Sequence, residues 1–177
     1  TVNNEGEIGG SIIASTTVFT DVPLTSESED EQPTHNDRIN NAGLVGDNIL
    51  TGAGDDYIEN ALDSRVDGDV DTGPGDDVIV HRGTASRLLA GDGADTVTLG
   101  DGAVVRLVID GGPNTGGVDV LEFNLTVATE AEAQRVRDAL AVANPATGSI
   151  TINNQDYAWV NFEVIRHNLT VGEQAEG

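Results

Sequence analysis

A short unit that recurs between residues 46 and 121 is the feature that most restricts how this chain can fold. Each complete copy reads Gly-x-Gly-x-Asp, with an apolar residue two positions after the aspartate, and the copies span residues 52–58, 73–79 and 91–97. A degenerate fourth copy ends at residues 117–121. A glycine-rich unit repeated in register is typical of a chain that winds in successive coils.

The distance between the repeated aspartates gives the length of one coil. Asp56, Asp77, Asp95 and Asp119 are separated by 21, 18 and 24 residues, which is a period of 18 with insertions of 3, none and 6. Two nine-residue units make one coil of a parallel β-roll, with a turn, a strand, an opposite turn and a returning strand. Residues one period apart then stack on one edge, about 4.8 Å from each other.

The opposite edge carries a weaker form of the same register. The equivalent positions there are Asp47, Gly68-Asp69 and Ser86, with apolar followers at Ile49, Val70 and Leu88. One edge therefore keeps the glycines and the acids, whereas the other has largely lost them. The pattern predicts a mainly β fold, a one-sided parallel β-roll of about four coils.

The residue types at the retained edge favour a hard cation. Glycines permit positive φ angles and leave main-chain carbonyls free to point at a shared centre, and each aspartate adds an anionic oxygen. Six to eight such oxygens suit Ca²⁺, while the chain has no Cys and no clustered His for a softer metal. Without a cation, carboxylates about 5 Å apart repel by about 3 kcal/mol at an effective dielectric near 20. We therefore expect metal binding and folding to be coupled.

These repeats resemble the RTX, or haemolysin-type calcium-binding, repeat family over about residues 46–121. The resemblance implies a parallel β-roll with Ca²⁺ between adjacent turns, in a bacterial or archaeal secreted or cell-surface protein, often exported by type I secretion. The implied metal residues are Asp56, Asp77, Asp95 and Asp119, the adjacent acids Asp55, Asp76 and Asp92, and the turn glycines Gly52, Gly54, Gly73, Gly75, Gly91 and Gly93. Because Thr51, Thr72 and Ala90 replace the first glycine of each pair, and because the fourth turn is spread over Gly111 to Asp119, two to three ions are expected.

The chain divides into three predicted parts. Residues 1–41 form an N-terminal arm and acidic loop, residues 42–125 the calcium-binding β-roll, and residues 126–177 a cap. Within the arm, Ser11 to Phe19 has strong β character and predicts a strand. That strand either forms an edge of this domain's own roll or is donated to a neighbouring subunit.

The cap contains a helix and a hairpin. Thr129-Glu130-Ala131-Glu132 is a capping box, and apolar residues then recur at helical spacing, which predicts a helix over about 130–143 that closes the end of the roll. Strands are predicted at Ser149–Asn153 and Tyr157–Ile165, across an Asn153-Asn154 turn. Tyr157 and Trp159 share one strand face, where a core role is favoured over a sugar-stacking platform.

Composition limits the partners. A formal net charge of −23 excludes nucleic acid as a partner, and no apolar run is long enough to insert into a membrane. All eight cations are Arg, which also fits a halophilic or marine surface. The chain begins at Thr1 rather than Met, which indicates a processed or excised segment.

The function predicted from the sequence is that of an extracellular, calcium-stabilised structural module. No catalytic motif for a metalloprotease, a serine hydrolase or a cysteine nucleophile is present, so an enzyme is not expected. Two alternatives stay open. The chain is a self-assembling surface-layer or filament subunit that binds copies of itself or a cell-surface component, or it is the non-catalytic part of a secreted polysaccharide-acting enzyme or adhesin.

Overall fold

A computed structural model describes residues 1–14, 35–113 and 117–172. Seventeen strands and one helix lie in these ranges. Numbered along the chain, they are β1 (Val2–Asn4), β2 (Glu7–Ile8), β3 (Ile12–Ile13), β4 (Arg38–Asn41), β5 (Leu44–Val45), β6 (Ile49–Leu50), β7 (Tyr57–Asn60), β8 (Arg65–Val66), β9 (Val70–Asp71), β10 (Val78–His81), β11 (Thr84–Leu89), β12 (Thr96–Gly100), β13 (Val104–Asp110), β14 (Val120–Val127), α1 (Glu130–Ala141), β15 (Thr147–Ile152), β16 (Gln155–Val160) and β17 (Val164–Val171).

The strands form two largely parallel sheets. The first has seven strands in the order β1-β4-β7-β10-β12-β14-β17, and every neighbouring pair in it is parallel. The second has ten strands and contains the order β15-β16-β13-β11-β8-β5-β2, with β3, β6 and β9 beside one another. From β1 to β14 the chain passes alternately through the two sheets, so each passage lies beside the preceding one.

The prediction of a mainly β fold with parallel strands is confirmed. Four strands of the first sheet, β7, β10, β12 and β14, begin within residues 42–125, where about four coils were expected, and three more lie outside that range. The additional passages lie at both ends, where β1 to β6 precede the first complete Gly-x-Gly-x-Asp copy and β17 follows the last. These end passages lack the glycine pairs, and a count based on glycines therefore misses them.

The apolar residues predicted from the repeat form the core. On the first sheet Ile58, Ile79, Val97 and Leu121 are in register and fully buried. On the second sheet the followers of the weaker register, Ile49, Val70 and Leu88, are also in register and fully buried.

The C-terminal end of the predicted arm and acidic loop, residues 1–41, is a strand. Arg38–Asn41 forms β4 between β1 and β7, and its Ile39 is fully buried. A single buried isoleucine in a polar stretch is enough here, because neighbouring strands supply the main-chain hydrogen bonds. The predicted strand over Ser11–Phe19 is described only in part: Ile12–Ile13 pairs with β6 of the same chain, and residues from 15 onward lie outside the described ranges.

The predicted helix is confirmed in position and in its cap. It begins after Thr129, whose side chain accepts a hydrogen bond from the Glu132 amide, and its buried residues are Ala133, Val136 and Leu140. The helix contacts β14, β15 and β17. Since β17 and β15 are edge strands of the two sheets, the helix lies at the end of the stack.

The predicted hairpin is correct in its turn and wrong in its second strand. Asn153 and Asn154 have φ of 52° and 61°, as a tight two-residue hairpin turn requires, and they join β15 to β16. The predicted strand over Tyr157–Ile165 is two strands in different sheets. Asn161, with φ of 62°, turns the chain between them.

The two aromatic residues of β16 belong to the core, so the sugar-stacking alternative is excluded. Tyr157 and Trp159 are 3% and 1% exposed. Both meet the Phe123 ring edge-on, at centroid distances of 5.7 and 6.1 Å. Their polar atoms donate to the main-chain carbonyls of Ala103 and Asn144.

Phe123 therefore links the repeat to the C-terminal segment. We expect Phe123→Ala to destabilise the fold by about 3–5 kcal/mol, because it removes a fully buried ring and two aromatic contacts. Chemical denaturation measures the change. Val142→Ala is the control, since Val142 is 85% exposed and should change the free energy of unfolding little. Equal losses for the two variants would contradict the role of Phe123.

Candidate metal centre at the glycine-rich edge

The six predicted turn glycines lie in three stacked turns, which precede β7, β10 and β12. Their φ angles are positive at every position: 96°, 87° and 98° at Gly52, Gly73 and Gly91, and 140°, 147° and 148° at Gly54, Gly75 and Gly93. Residues with a Cβ rarely adopt these angles. The conformational reason for the repeated glycines is therefore the one expected from the sequence.

Close stacking gives a second reason for these glycines. A Cβ added to Gly73 would overlap the carbonyl oxygen of Gly52, and one added to Gly75 would overlap that of Gly54. The same holds for Gly91 and Gly93 above the turn before them. Main-chain oxygens of each turn thus point toward the next turn, and they line the space between the two.

The four repeated aspartates form a ladder through these turns. Asp77 accepts a hydrogen bond from the Asp56 amide at 2.6 Å, Asp95 from the Asp77 amide at 2.8 Å, and Asp119 from the Asp95 amide at 2.9 Å. Each Oδ1 thus reaches back to the preceding turn. All four residues are at most 2% exposed.

The second oxygen of each of these carboxylates is buried and has no hydrogen-bond partner in the described part of the chain. This holds for Oδ2 of Asp56, Asp77, Asp95 and Asp119. The hydroxyls of Thr51 and Thr72 lie near enough to lower the pKa of Asp56 and Asp77, but they donate to main-chain carbonyls. A buried anionic oxygen without a donor is costly, unless a proton or a cation compensates it. The arrangement recurs in three consecutive turns and in the degenerate fourth, so it is a property of the repeat.

The burial of these carboxylates changes their protonation. Burial raises the pKa of Asp77 and of Asp95 to about 7, although the amides of Asp56 and Asp77 lower it in part. Burial also raises the pKa of Asp56 and Asp119. Near neutral pH and without metal, Asp77 and Asp95 are therefore divided between the neutral acid and the buried anion, and the anions of neighbouring rungs repel each other.

The adjacent acids lie outside the ladder. Asp55, Asp76 and Asp92 are exposed. Asp55 accepts from the Asp76 amide at 3.1 Å, and Asp76 accepts from the Ala94 amide at 2.9 Å. These side chains reach forward along the stack, whereas the buried aspartates reach back. They form an outer acidic row beside the candidate centre.

Two rungs of the ladder were missed by the sequence analysis. Asp56 accepts from the Asp37 amide at 2.6 Å, and Glu163 accepts from the Asp119 amide at 2.7 Å. Neither acid follows a glycine pair. A weaker signal was present, because each is followed two residues later by an isoleucine in register with the core column, Ile39 and Ile165.

The threonines that replace the first glycine have a structural role. Thr51 donates to the Thr72 carbonyl at 2.9 Å, and Thr72 donates to the Ala90 carbonyl at 2.6 Å. Both side chains are buried. These departures from the repeat pattern link successive turns beside the carboxylate ladder.

The donor set between the turns fits a hard cation such as Ca²⁺. Carboxylate oxygens without a partner lie on the same edge as main-chain carbonyls, and both are oxygen ligands. Within the described ranges, no group of three or more His, Asp or Glu side chains is placed to hold a metal ion. An ion here would therefore depend on main-chain oxygens and on carboxylates stacked one per turn.

Comparison with known proteins adds no assignment. A search against protein-family models found no match, and curated proteins and solved structures gave none either. Among the described residues, no helix has the length and apolar character needed to cross a membrane.

The raised pKa values predict how the metal-free protein responds to pH. In the unfolded chain a carboxyl has an ordinary pKa near 4, whereas folded Asp77 and Asp95 have values of about 7. At these two positions the folded state therefore binds more protons between these values, so their contribution to stability in chelator is fully present below about pH 4 and is lost as the pH rises to about 7. The folded fraction in chelator at a series of pH values, followed by far-UV circular dichroism, measures this dependence.

Asp77→Asn is the informative variant for this pH dependence. It should flatten the slope and should stabilise the metal-free protein by about 1–3 kcal/mol at pH 8, because the buried charge is gone while Oδ1 can still accept from Asp56. Asp63→Asn is the control, since Asp63 is exposed on the opposite edge. A difference in stability between Asp77→Asn and the unsubstituted protein that does not change between pH 4 and 7 would contradict this account.

Proposed function

We propose that this chain is an extracellular calcium-binding module, wound as a parallel β-roll, whose folding is coupled to Ca²⁺ binding in the Gly-x-Gly-x-Asp turns. The observation that carries the proposal is the row of four buried aspartates, each with an oxygen that lacks a partner. A cation between the turns would compensate these oxygens, and calcium matches them in hardness and in ligand number.

The contacts indicate which residues would hold each ion. Between the first and second glycine turns they are the carbonyls of Gly52 and Gly54 with the Asp77 carboxylate. Between the second and third turns they are the carbonyls of Gly73 and Gly75 with the Asp95 carboxylate. The Gly91 carbonyl and Asp119 make a third, less regular set, since the fourth turn contains an insertion.

The types and arrangement of the oxygen ligands at the glycine-rich edge favour calcium over magnesium. Mg²⁺ requires a near-ideal octahedron and retains several waters, whereas Ca²⁺ accepts varied oxygen ligands in a flexible shell. The ladder offers main-chain carbonyls and single carboxylates, held by the spacing of the turns rather than by a dedicated cage. Zinc and copper are disfavoured, because the candidate donors are all oxygens.

Coupled folding follows from the charge on the metal-free chain. The net charge of −23 opposes compaction, and the four buried carboxylates concentrate that cost at one edge. Binding an ion only in the folded state would shift the equilibrium by mass action. Such a module would be unfolded where calcium is scarce and rigid outside the cell, which makes it a structural part rather than a catalyst.

A calcium titration followed by far-UV circular dichroism tests the proposal. We expect a cooperative gain of β signal at about 10⁻⁴ to 10⁻³ M Ca²⁺, the range of extracellular modules, and no equivalent gain with Mg²⁺. Asp77→Asn should give a smaller calcium-dependent gain of β signal, because it removes one anionic ligand and also favours the metal-free fold.

The matched control is again Asp63→Asn, which removes one acid from the opposite edge and should leave the calcium-dependent gain of β signal nearly unchanged. A protein that is fully folded in chelator at pH 7.5 and unaffected by calcium would refute the proposal. In that case the acidic composition would reflect adaptation to salt.

A further inference from the structure

A second buried polar column lies at the other end of the first-sheet strands, away from the glycine turns. It consists of Asn4, Asn41, Asn60 and His81, one residue at the end of each of β1, β4, β7 and β10. These residues are 6%, 1%, 0% and 0% exposed. No role for these four residues is predicted from the sequence.

The main chain fixes the direction of the first two amides. The Gly6 amide donates to Oδ1 of Asn4 at 3.1 Å, and the Gly43 amide donates to Oδ1 of Asn41 at 3.2 Å. A flipped side chain would bring its NH₂ group against a main-chain N–H. The oxygens of these amides therefore face the turn, and their NH₂ groups are left to donate elsewhere.

Each NH₂ group donates to the next rung. Nδ2 of Asn4 donates to Oδ1 of Asn41 at 2.8 Å, and Nδ2 of Asn41 donates to Oδ1 of Asn60 at 3.1 Å. The column is thus a directional chain of hydrogen bonds that begins at the first passage of the chain and runs across three strands.

This direction determines the protonation state of the histidine. Nδ2 of Asn60 lies 3.2 Å from Nδ1 of His81, and an NH₂ group can only donate there. Nδ1 must therefore be unprotonated, and the single proton of the neutral ring lies on Nε2, which faces the Val104 carbonyl at 3.4 Å.

No charged group on the surrounding strands compensates a protonated ring. Glu59 of β7 projects to the outer face of the sheet, where it pairs with Arg82 at 2.6 Å. Arg106 of β13 is exposed, and β12 places the apolar Leu99 in register with the histidine. Burial lowers the pKa of His81 to about 4, although hydrogen bonds to the main chain at Val104 and Gly83 raise it in part.

We propose that this column is an acid-sensitive lock, in which neutral His81 holds four successive passages of the chain together and its protonation opens this edge of the fold. A proton on Nδ1 would set two donors against each other at the Asn60 contact. Asn60 cannot flip in response, because its oxygen already accepts from Asn41, whose own orientation is fixed by Gly43. The conflict is therefore relieved only by breaking the column.

The first test is a nitrogen-15 NMR experiment on the calcium-saturated, unsubstituted protein at neutral pH. Long-range proton–nitrogen correlations should show one histidine with an unprotonated Nδ1 and a protonated Nε2. The signals of His35 and His167, both exposed, provide internal references. A folded protein in which Nδ1 of His81 carries the proton would overturn the proposal.

The second test compares pH profiles of stability for His81→Asn and for the control His167→Asn, all at the same free calcium concentration. Between pH 6.5 and about 4, the unfolded state takes up the His81 proton first. As the pH falls through this range, the unfolding constant of the unsubstituted protein should therefore rise by up to about tenfold more per pH unit than that of His81→Asn.

His81→Asn is suited to this comparison because the three preceding rungs are asparagines, and the contribution of the carboxylate edge is common to all the proteins. His167→Asn should keep the unsubstituted slope. Equal slopes for His81→Asn and the unsubstituted protein would overturn the proposal, whatever the absolute stability of the variant. If His81→Asn does not fold, the NMR result on the unsubstituted protein decides.

Discussion

The stacking of buried carboxylates at strand spacing is the constraint on which the rest of this structure depends. Parallel strands in register place identical residues about 4.8 Å apart, so any acid in the repeat becomes a column of acids. The main chain supplies one donor per rung, from the preceding turn, as between Asp56 and Asp77. That leaves Oδ2 of Asp56, Asp77, Asp95 and Asp119 without a hydrogen-bond partner. The geometry that builds the core thus also creates an edge with a regular deficit of positive charge.

The two polar columns of the first sheet show how much the chemistry of a rung matters. An asparagine carries both a donor and an acceptor, so the amides of Asn4, Asn41 and Asn60 satisfy one another in a head-to-tail chain. An aspartate carries only acceptors, so its column cannot satisfy itself. The same parallel register therefore yields one self-sufficient edge and one that requires a proton or a cation. This difference, rather than the overall acidity of the chain, locates the candidate metal centre.

Residues that recur with the repeat could be predicted from the sequence. Residues that meet only through the pairing of strands distant in sequence could not. The period of 18 placed Asp77 and Asp95 on one edge and Ile58 and Ile79 in the core, because each copy carries the same local signal. Asp37 and Glu163 were not predicted, since they extend the ladder without a preceding Gly-x-Gly pair. The column of Asn4, Asn41, Asn60 and His81 was not predicted either, because its members lie in four different local sequences and meet only through the pairing of their strands.

The C-terminal end of the carboxylate ladder shows that a rung of the ladder does not require a glycine turn. Six residues connect β11 to β12 and carry the glycine pair, whereas only three residues, Asn161 to Glu163, connect β16 to β17. The shorter turn has no glycine pair, yet Glu163 still accepts from the Asp119 amide. The rung therefore persists as a hydrogen bond after the glycine turns have ended. Within the proposed function, ions would lie between the glycine turns, and the final rung would join the helix-capped end of the stack to them.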